Sequence, residues 1–362
     1  MRWHWQTFYF FLYIYRCLYS LLGHYVVSAI TSLGDSNRYQ GRAPEAFREY
    51  FYLSSTAMTD TIGLVFQKMS AGDPLLVNFC FQTVGFVGIV VLLQSLEPVV
   101  RRKMAVLVML PSFSLWSSVA SKESIVVLAV CLVCTYLVAM YYNRPKLRIR
   151  HLFGGYLLML YKPHYYAGLL FLFSLTYLAR RVQQKAFLVL FTGLVSLIPL
   201  YIFRDKFDAL SFEIMRHFPL DHARSTRGPF WAEQYDVFNK VPEGFYQAFF
   251  GPTWAEAATS ILHLGSYLES ALIVAILIFY VIRRFPDLPV YNFLLSIFTI
   301  FWLMLANYPF GVMNPGSAIR YRTGYIVIIF LLFSFLLSRD LFTQWSSGRT
   351  VSKLPHRRSL SQ

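Results

Sequence analysis

Charge is scarce in this sequence, and acidic charge is scarcest. Only 14% of the 362 residues are Asp, Glu, Lys or Arg, and 33 basic residues stand against 18 acidic ones. A chain so poor in charge, 56% apolar and with mean hydropathy +0.48, is ill suited to a water-facing surface. Cysteine is sparse too: Cys17, Cys80, Cys131 and Cys134 all lie within apolar runs, so no disulfide framework is expected. Cys131 and Cys134 form a C-x-x-C without a second ligand pair, the pattern of small packing residues rather than a metal or redox site. There is no nucleotide-binding P-loop, dinucleotide fingerprint, zinc-protease helix or serine nucleophile elbow, which argues against chemistry driven by cytosolic ATP or NAD. The +15 net charge comes without an aromatic-basic RNA-binding pattern or a long like-charge run, so nucleic acid is not an expected partner. No internal repeats are visible. The first apolar segment has no small-residue cleavage site and reads as a retained span, not a removable signal.

What the chain has in abundance is hydrocarbon. Crossing about 30 Å of lipid takes roughly 20 apolar residues, and such runs recur. The sequence predicts an all-α, polytopic integral membrane protein with about ten transmembrane segments. They cover 8–30, 74–93, 104–120, 123–142, a broken pair over 152–179, 186–203, 259–282, 290–308 and 325–337. Short loops at 94–103, 143–151, 180–185 and 283–289, with Arg2 and five basic residues after 338, hold 18 Lys and Arg against three acidic residues. Cytoplasmic loops carry such an excess, so both termini and these loops are assigned to the cytoplasm. Residues 1–345 form one multi-span membrane domain, and 346–362 a disordered basic cytoplasmic tail. Long loops 31–73 and 204–258 then face outward, the second as a cap.

Both flanks of 152–179 are basic, yet 28 residues separate them and Lys162-Pro163-His164 sits at their centre. Proline removes a donor and disfavours helix at the residue before it. Two half-helices meeting in a re-entrant turn fit best, with one long kinked helix as the alternative. Irregular backbone survives at membrane depth only where protein buries it or it lines a wet cavity.

Ionisable groups near spans are costly and therefore point to function. On the assigned topology Asp35, Lys122, Glu123, Lys162, His164, Arg204, Glu256, Arg320 and Arg322 all approach the outer boundary. Arg16, midway along the first span, either snorkels or pairs with a carboxylate and receives no task. Ser121-Lys122-Glu123 reads as a helix N-cap and first turn, and equally as an anion site at a helix N-terminus. The turn-rich stretch 314–322 delivers Arg320 and Arg322 to the mouth of the last span, suited to gripping phosphate oxygens. Asp35, Glu123 and His164 are the candidate bases.

Pro111-Ser-Phe-Ser-Leu-Trp116-Ser-Ser-Val-Ala-Ser-Lys122-Glu123, Lys162-Pro163-His164, Gly251-Pro252-Thr-Trp254-Ala-Glu256 and Arg320-Tyr321-Arg322 together resemble the bacterial surface-polysaccharide repeat-unit polymerases of O-antigen and exopolysaccharide clusters. The motifs are short and loose but span most of the chain, and many relatives carry Arg where Lys162 stands. The resemblance implies an enzyme of the bacterial inner membrane that transfers a growing glycan, on the periplasmic face, from its undecaprenyl-pyrophosphate carrier to the next lipid-linked oligosaccharide. It implies Lys122, Lys162, Arg320 and Arg322 as the pyrophosphate clamp and Asp35, Glu123 or His164 as the base. The 204–258 loop would cover the site. No cofactor and no metal are expected, because side-chain cations would take up the developing charge. Membrane lipid is a partner, and a chain-length regulator and a flippase are open as protein partners. Two other classes stay open: a polyprenyl-phosphate-sugar-dependent multi-span glycosyltransferase, and a lipid-linked oligosaccharide transporter, against which the lack of repeats counts.

Overall fold

The computed structural model describes residues 5–30, 33–41, 50–142, 145–179, 181–216, 227–228, 230–284 and 289–336. The basic tail 346–362, Arg2 and position 337 lie outside the described residues. Among those described, every regular element is helical. In chain order the principal helices are α1 (Trp5–Leu21), α2 (Ser36–Gly41), α3 (Ser55–Met69), α4 (Pro74–Ser95), α5 (Pro98–Leu107), α6 (Pro111–Trp116) and α7 (Lys122–Tyr141). There follow α8 (Ile149–Tyr161), α9 (Tyr166–Leu178), α10 (Lys185–Val195), α11 (Arg204–Arg216), α12 (Ile261–Arg284), α13 (Val290–Gly311) and α14 (Pro315–Leu336).

Seven helical stretches are long and apolar enough to cross a membrane: Trp5–Ile30, Pro74–Ser95, Lys122–Tyr141, Lys185–Ile202, Ile261–Phe279, Val290–Gly311 and Pro315–Phe335. This is the architecture of a polytopic membrane protein. The three remaining expected spans are shorter or interrupted, and prolines account for the interruptions. Proline is tolerated at the first helical position because its missing N–H would be unpaired there anyway. Pro74, Pro98, Pro111 and Pro315 each open a helix, and Pro163 opens the 3-10 turn between α8 and α9. Pro111 therefore splits the expected 104–120 span into α5 and α6, followed by irregular backbone to Ser121.

Two contacts fix how that segment runs. Asn78 Oδ1 near the start of α4 accepts from the Ala120 amide (2.7 Å), and the Glu97 amide just beyond α4 donates to Tyr142 Oη beyond α7 (3.0 Å). Helices α4 and α7 therefore run in the same direction, and residues 98–121 must return from one end of the bundle to the other. The two pack closely at Gly88, where a Cβ would fall 2.7 Å from Leu128 Cα. Without a solvent-driven hydrophobic force between helices in lipid, such close approach provides the attraction.

Helices α8 and α9, 13 residues each, would rise only about 20 Å apiece. The Tyr136 ring on α7 meets His151 of α8 (5.4 Å) and Phe173 of α9 (5.8 Å). A single long helix would separate positions 151 and 173 by about 33 Å. The pair is therefore a hairpin, its tip at Lys162-Pro163-His164, and Tyr166 Oη ties it by donating to the Gly155 carbonyl (2.6 Å).

The irregular stretch 117–121 is the costly part of this fold, and side chains from other helices and from α7 take up its carbonyls at 117–119. Arg16 on α1 serves the first of them. It is fully buried, and it donates to Ser117 O (2.7 Å) and Ser117 Oγ (3.0 Å). Ser20 Oγ donates to Ser118 O (2.5 Å), and Ser124 Oγ lies within reach of Ser117 O and Val119 O. Arg16 thus neither snorkels nor meets a carboxylate; it sits at the C-terminus of α6, where the helix dipole favours a cation.

The described residues between 227 and 258 fold onto the ends of α13 and α14. Trp231 Nε1 donates to Tyr308 Oη (2.8 Å), and Arg227 pairs with Glu256 (2.6 and 2.8 Å) while donating to Val312 O (2.8 Å). Burial raises the Glu256 carboxyl, but the Arg227 guanidinium and the Thr253 amide outweigh it and hold the group below its ordinary range.

Arg16→Ala should leave the Ser117 carbonyl with only the longer contact from Ser124 Oγ and lower stability by about 1–3 kcal/mol, read as a depressed thermal midpoint in detergent. Arg16→Lys should restore only part of the loss, because an ammonium lacks the planar fork.

Candidate functional site

Arg320 is the centre of the polar cluster. Asn314, not a loop, sets its position: Asn314 Oδ1 accepts from Gly316 N (2.8 Å) and Ser317 N (3.2 Å), and with Pro315 at the first position α14 begins there. The stretch expected to be turn-rich is thus helical from Pro315 on, and Arg320 lies in its second turn. Its Nε is 2.9 Å from Glu123 Oε1 on the first turn of α7. Its Nη2 is 3.8 Å from Asp35 Oδ2 in the turn between α1 and α2. Glu123 is 2% exposed and Asp35 54% exposed, so one carboxylate is interior and the other open. Gly34 lies directly beneath the guanidinium. Its φ of +62° suits glycine, and a Cβ there would stand 2.1 Å from Arg320 Nη1.

Two lysines join this group. Lys162, at the hairpin tip, is 8% exposed and holds its Nζ 4.1 Å from the centroid of the Tyr321 ring. Lys122 donates from Nζ to Thr56 Oγ1 on α3 (2.7 Å). Lys162 lies within electrostatic reach of Glu123, Arg320 and Lys122, and Lys122 within reach of Asp35. The helix start beside them is not capped by Ser121, whose hydroxyl donates back to Trp116 O (3.1 Å) instead of to the first-turn amides of α7. Three cations, a helix N-terminus and two carboxylates therefore meet where the Trp5–Ile30 helical stretch, α7, α14 and the α8–α9 hairpin all end. Among the described residues no three His, Cys, Asp or Glu side chains gather into a metal-holding group.

Other expected site residues lie apart. Arg322 is two positions from Arg320 and, on a helix, faces away from it. It is buried against Glu269 Oε1 (3.2 Å), Ser270 Oγ (2.6 Å) and Ser112 Oγ (3.1 Å), tying α14 to α12 and α6. Glu269 Oε2 also accepts from the Ser112 amide (2.8 Å) and so caps α6 from a neighbouring helix. His164 is beside Lys162 in the hairpin, but its Nε2 is 3.1 Å from Asn307 Oδ1 and its ring stacks on Phe310. Glu256 is engaged by Arg227, and Arg204 rests over Tyr201 and Tyr235.

Among the described residues, the segment whose contacts reach the cluster is the first long loop rather than the second. Helices α2 and α3 supply Thr56 to Lys122 and a bidentate Arg38–Asp60 pair whose Nε–Oδ1 distance is 2.9 Å. Thr59 Oγ1 meets Tyr161 Oη at 3.0 Å. Asn78 joins both halves, accepting from Gln40 Nε2 (2.8 Å) on α2 as well as from Ala120 N. Sequence reasoning passed over Asn78 and Glu269, though each is a polar residue inside an apolar run and so carried the same signal as Arg16. Arg38, Thr56 and Asp60, in a polar loop, carried none.

Compared with protein-family models, with curated proteins and with solved structures, the chain matches none.

Gly34→Ala should cost about 1–2 kcal/mol of backbone strain plus the displacement of Arg320. In a double-mutant cycle on the thermal midpoint, Arg320→Ala should remove the second part and leave the first.

Proposed function

We propose that the protein is a glycosyltransferase of the bacterial inner membrane that polymerises undecaprenyl-pyrophosphate-linked oligosaccharide repeat units into O-antigen, capsule or exopolysaccharide. The convergence of Arg320, Lys162 and Lys122 with two carboxylates at one end of the bundle carries this reading. Under the positive-inside rule that end is the periplasmic one, which is where lipid-linked units are joined.

Glycosyl transfer from a pyrophosphate carrier makes two demands on a protein. Negative charge grows on the departing pyrophosphate, and preorganised cations in a water-poor site stabilise it without having to reorient. The acceptor hydroxyl must lose its proton to a base within hydrogen-bond reach. Arg320, Lys162 and Lys122 meet the first demand, with Arg320 providing a planar fork for phosphate oxygens. The carboxylates beside Arg320 meet the second. Arg322 has no part in the clamp; it holds α14 against α12 and α6, and so sets the position of Arg320 indirectly.

Arg320→Ala and Lys162→Ala should each abolish long-chain glycan while a single repeat unit still reaches its acceptor, as seen on a glycan gel. Full-length polymer from both variants would refute the clamp. Arg322→Ala should instead reduce the amount of folded protein, by breaking a buried pair at a cost of about 3–5 kcal/mol. With His164→Cys, a membrane-impermeant thiol reagent should label intact spheroplasts from outside. Labelling only after the cytoplasmic face is opened would reverse the topology.

A further inference from the structure

The two carboxylates on Arg320 sit where the proposed function seats a phosphate, and they are not equivalent. Glu123 belongs to α7, is almost wholly buried and lies 2.9 Å from Arg320 Nε. Asp35 follows Gly34 in a turn, is more than half exposed, and at 3.8 Å is too far from Arg320 for a hydrogen bond. An exposed ion pair at such a distance is weak and readily exchanged. The third candidate base, His164, has its Nε2 engaged with Asn307 Oδ1 and its ring stacked on Phe310.

We infer that Asp35 is the base of the reaction and that it is held in reserve on Arg320 until carrier pyrophosphate displaces it. Glu123 stays on Nε as the positioning residue that keeps the guanidinium facing the site. The incoming phosphate takes the edge that Asp35 holds, and Asp35 is released toward solvent, where the acceptor sugar arrives. In the transfer, the acceptor O–H bond breaks and its proton passes to the Asp35 carboxylate. The acceptor oxygen bonds to the anomeric carbon of the donor glycan. The bond from that carbon to the carrier breaks, and its electron pair leaves on pyrophosphate beside Arg320, Lys162 and Lys122. Water then takes the proton from Asp35. A base freed only by a bound donor would not activate water or acceptor in an empty site.

This inference rests on the polymerase reading, and one pair of measurements separates the two. Purified full-length protein in detergent is titrated calorimetrically with inorganic pyrophosphate, and the same preparations are assayed in proteoliposomes for joining lipid-linked repeat units. Asp35→Asn removes both the competitor and its repulsive charge, so it should bind pyrophosphate about fivefold more tightly than the unaltered protein and lose polymer formation. Asp35→Glu, which keeps the charge, should bind nearly as the unaltered protein does and retain part of the turnover. Weaker or unchanged binding by Asp35→Asn, or polymer formation at the original rate, would overturn the assignment of Asp35. Tighter binding by Asp35→Asn with no polymer from the unaltered protein would uphold the exchange on Arg320 and overturn the polymerase reading instead.

Discussion

Everything in this molecule depends on making irregular backbone tolerable inside a helical bundle. Residues 117–121 leave α6 without entering α7, and their carbonyls are costly in hydrocarbon unless paired. Arg16, Ser20 and Ser124 take up those carbonyls, while Asn78 accepts the Ala120 amide. Because the segment is held, α7 can begin at Lys122 and present Lys122 and Glu123 at its first turn rather than burying them within a continuous span. The same cost is met at the hairpin tip, where Pro163 ends α8 and leaves Lys162 at its C-terminus. The site is built from helix ends, and helix ends inside a bundle must be satisfied from outside themselves.

A second constraint is angular. Arg320 and Arg322 look like a matched pair in the chain, yet on a helix two residues turn through about 200°. One arginine therefore joins the cluster with Glu123 and Asp35, and the other is buried with Glu269 and Ser112. The second acts as an internal strut whose carboxylate partner also caps α6. The motif thus divides its labour between charge in the site and alignment of the helix that carries it.

Much of the scaffold could be read from residue order. Apolar runs placed six of the seven long helices within a few residues of their ends, and the proline at 163 between basic flanks pointed to a hairpin. The interruption at Pro111 was harder to see, because the residues on either side are as apolar as a span requires. The start of α14 was missed for a related reason. Asn-Pro-Gly-Ser reads as a turn, but an Asn cap followed by Pro is also how a helix begins.

The cluster itself was legible in its members and not in its geometry. Asp35, Lys122, Glu123, Lys162 and Arg320 stood out because each is an ionisable group bordering hydrocarbon, and that expense is written in the sequence. Which of them touch, which carboxylate is buried and which is open, and which long loop lies against them were decided only when distant helices packed. Those outcomes depend on the direction of each helix, on the facing of each side chain around its axis and on close approaches such as Gly34 to Arg320. Composition and spacing carry no record of such relations between segments, whereas the cost of charge in lipid acts on each residue where it stands.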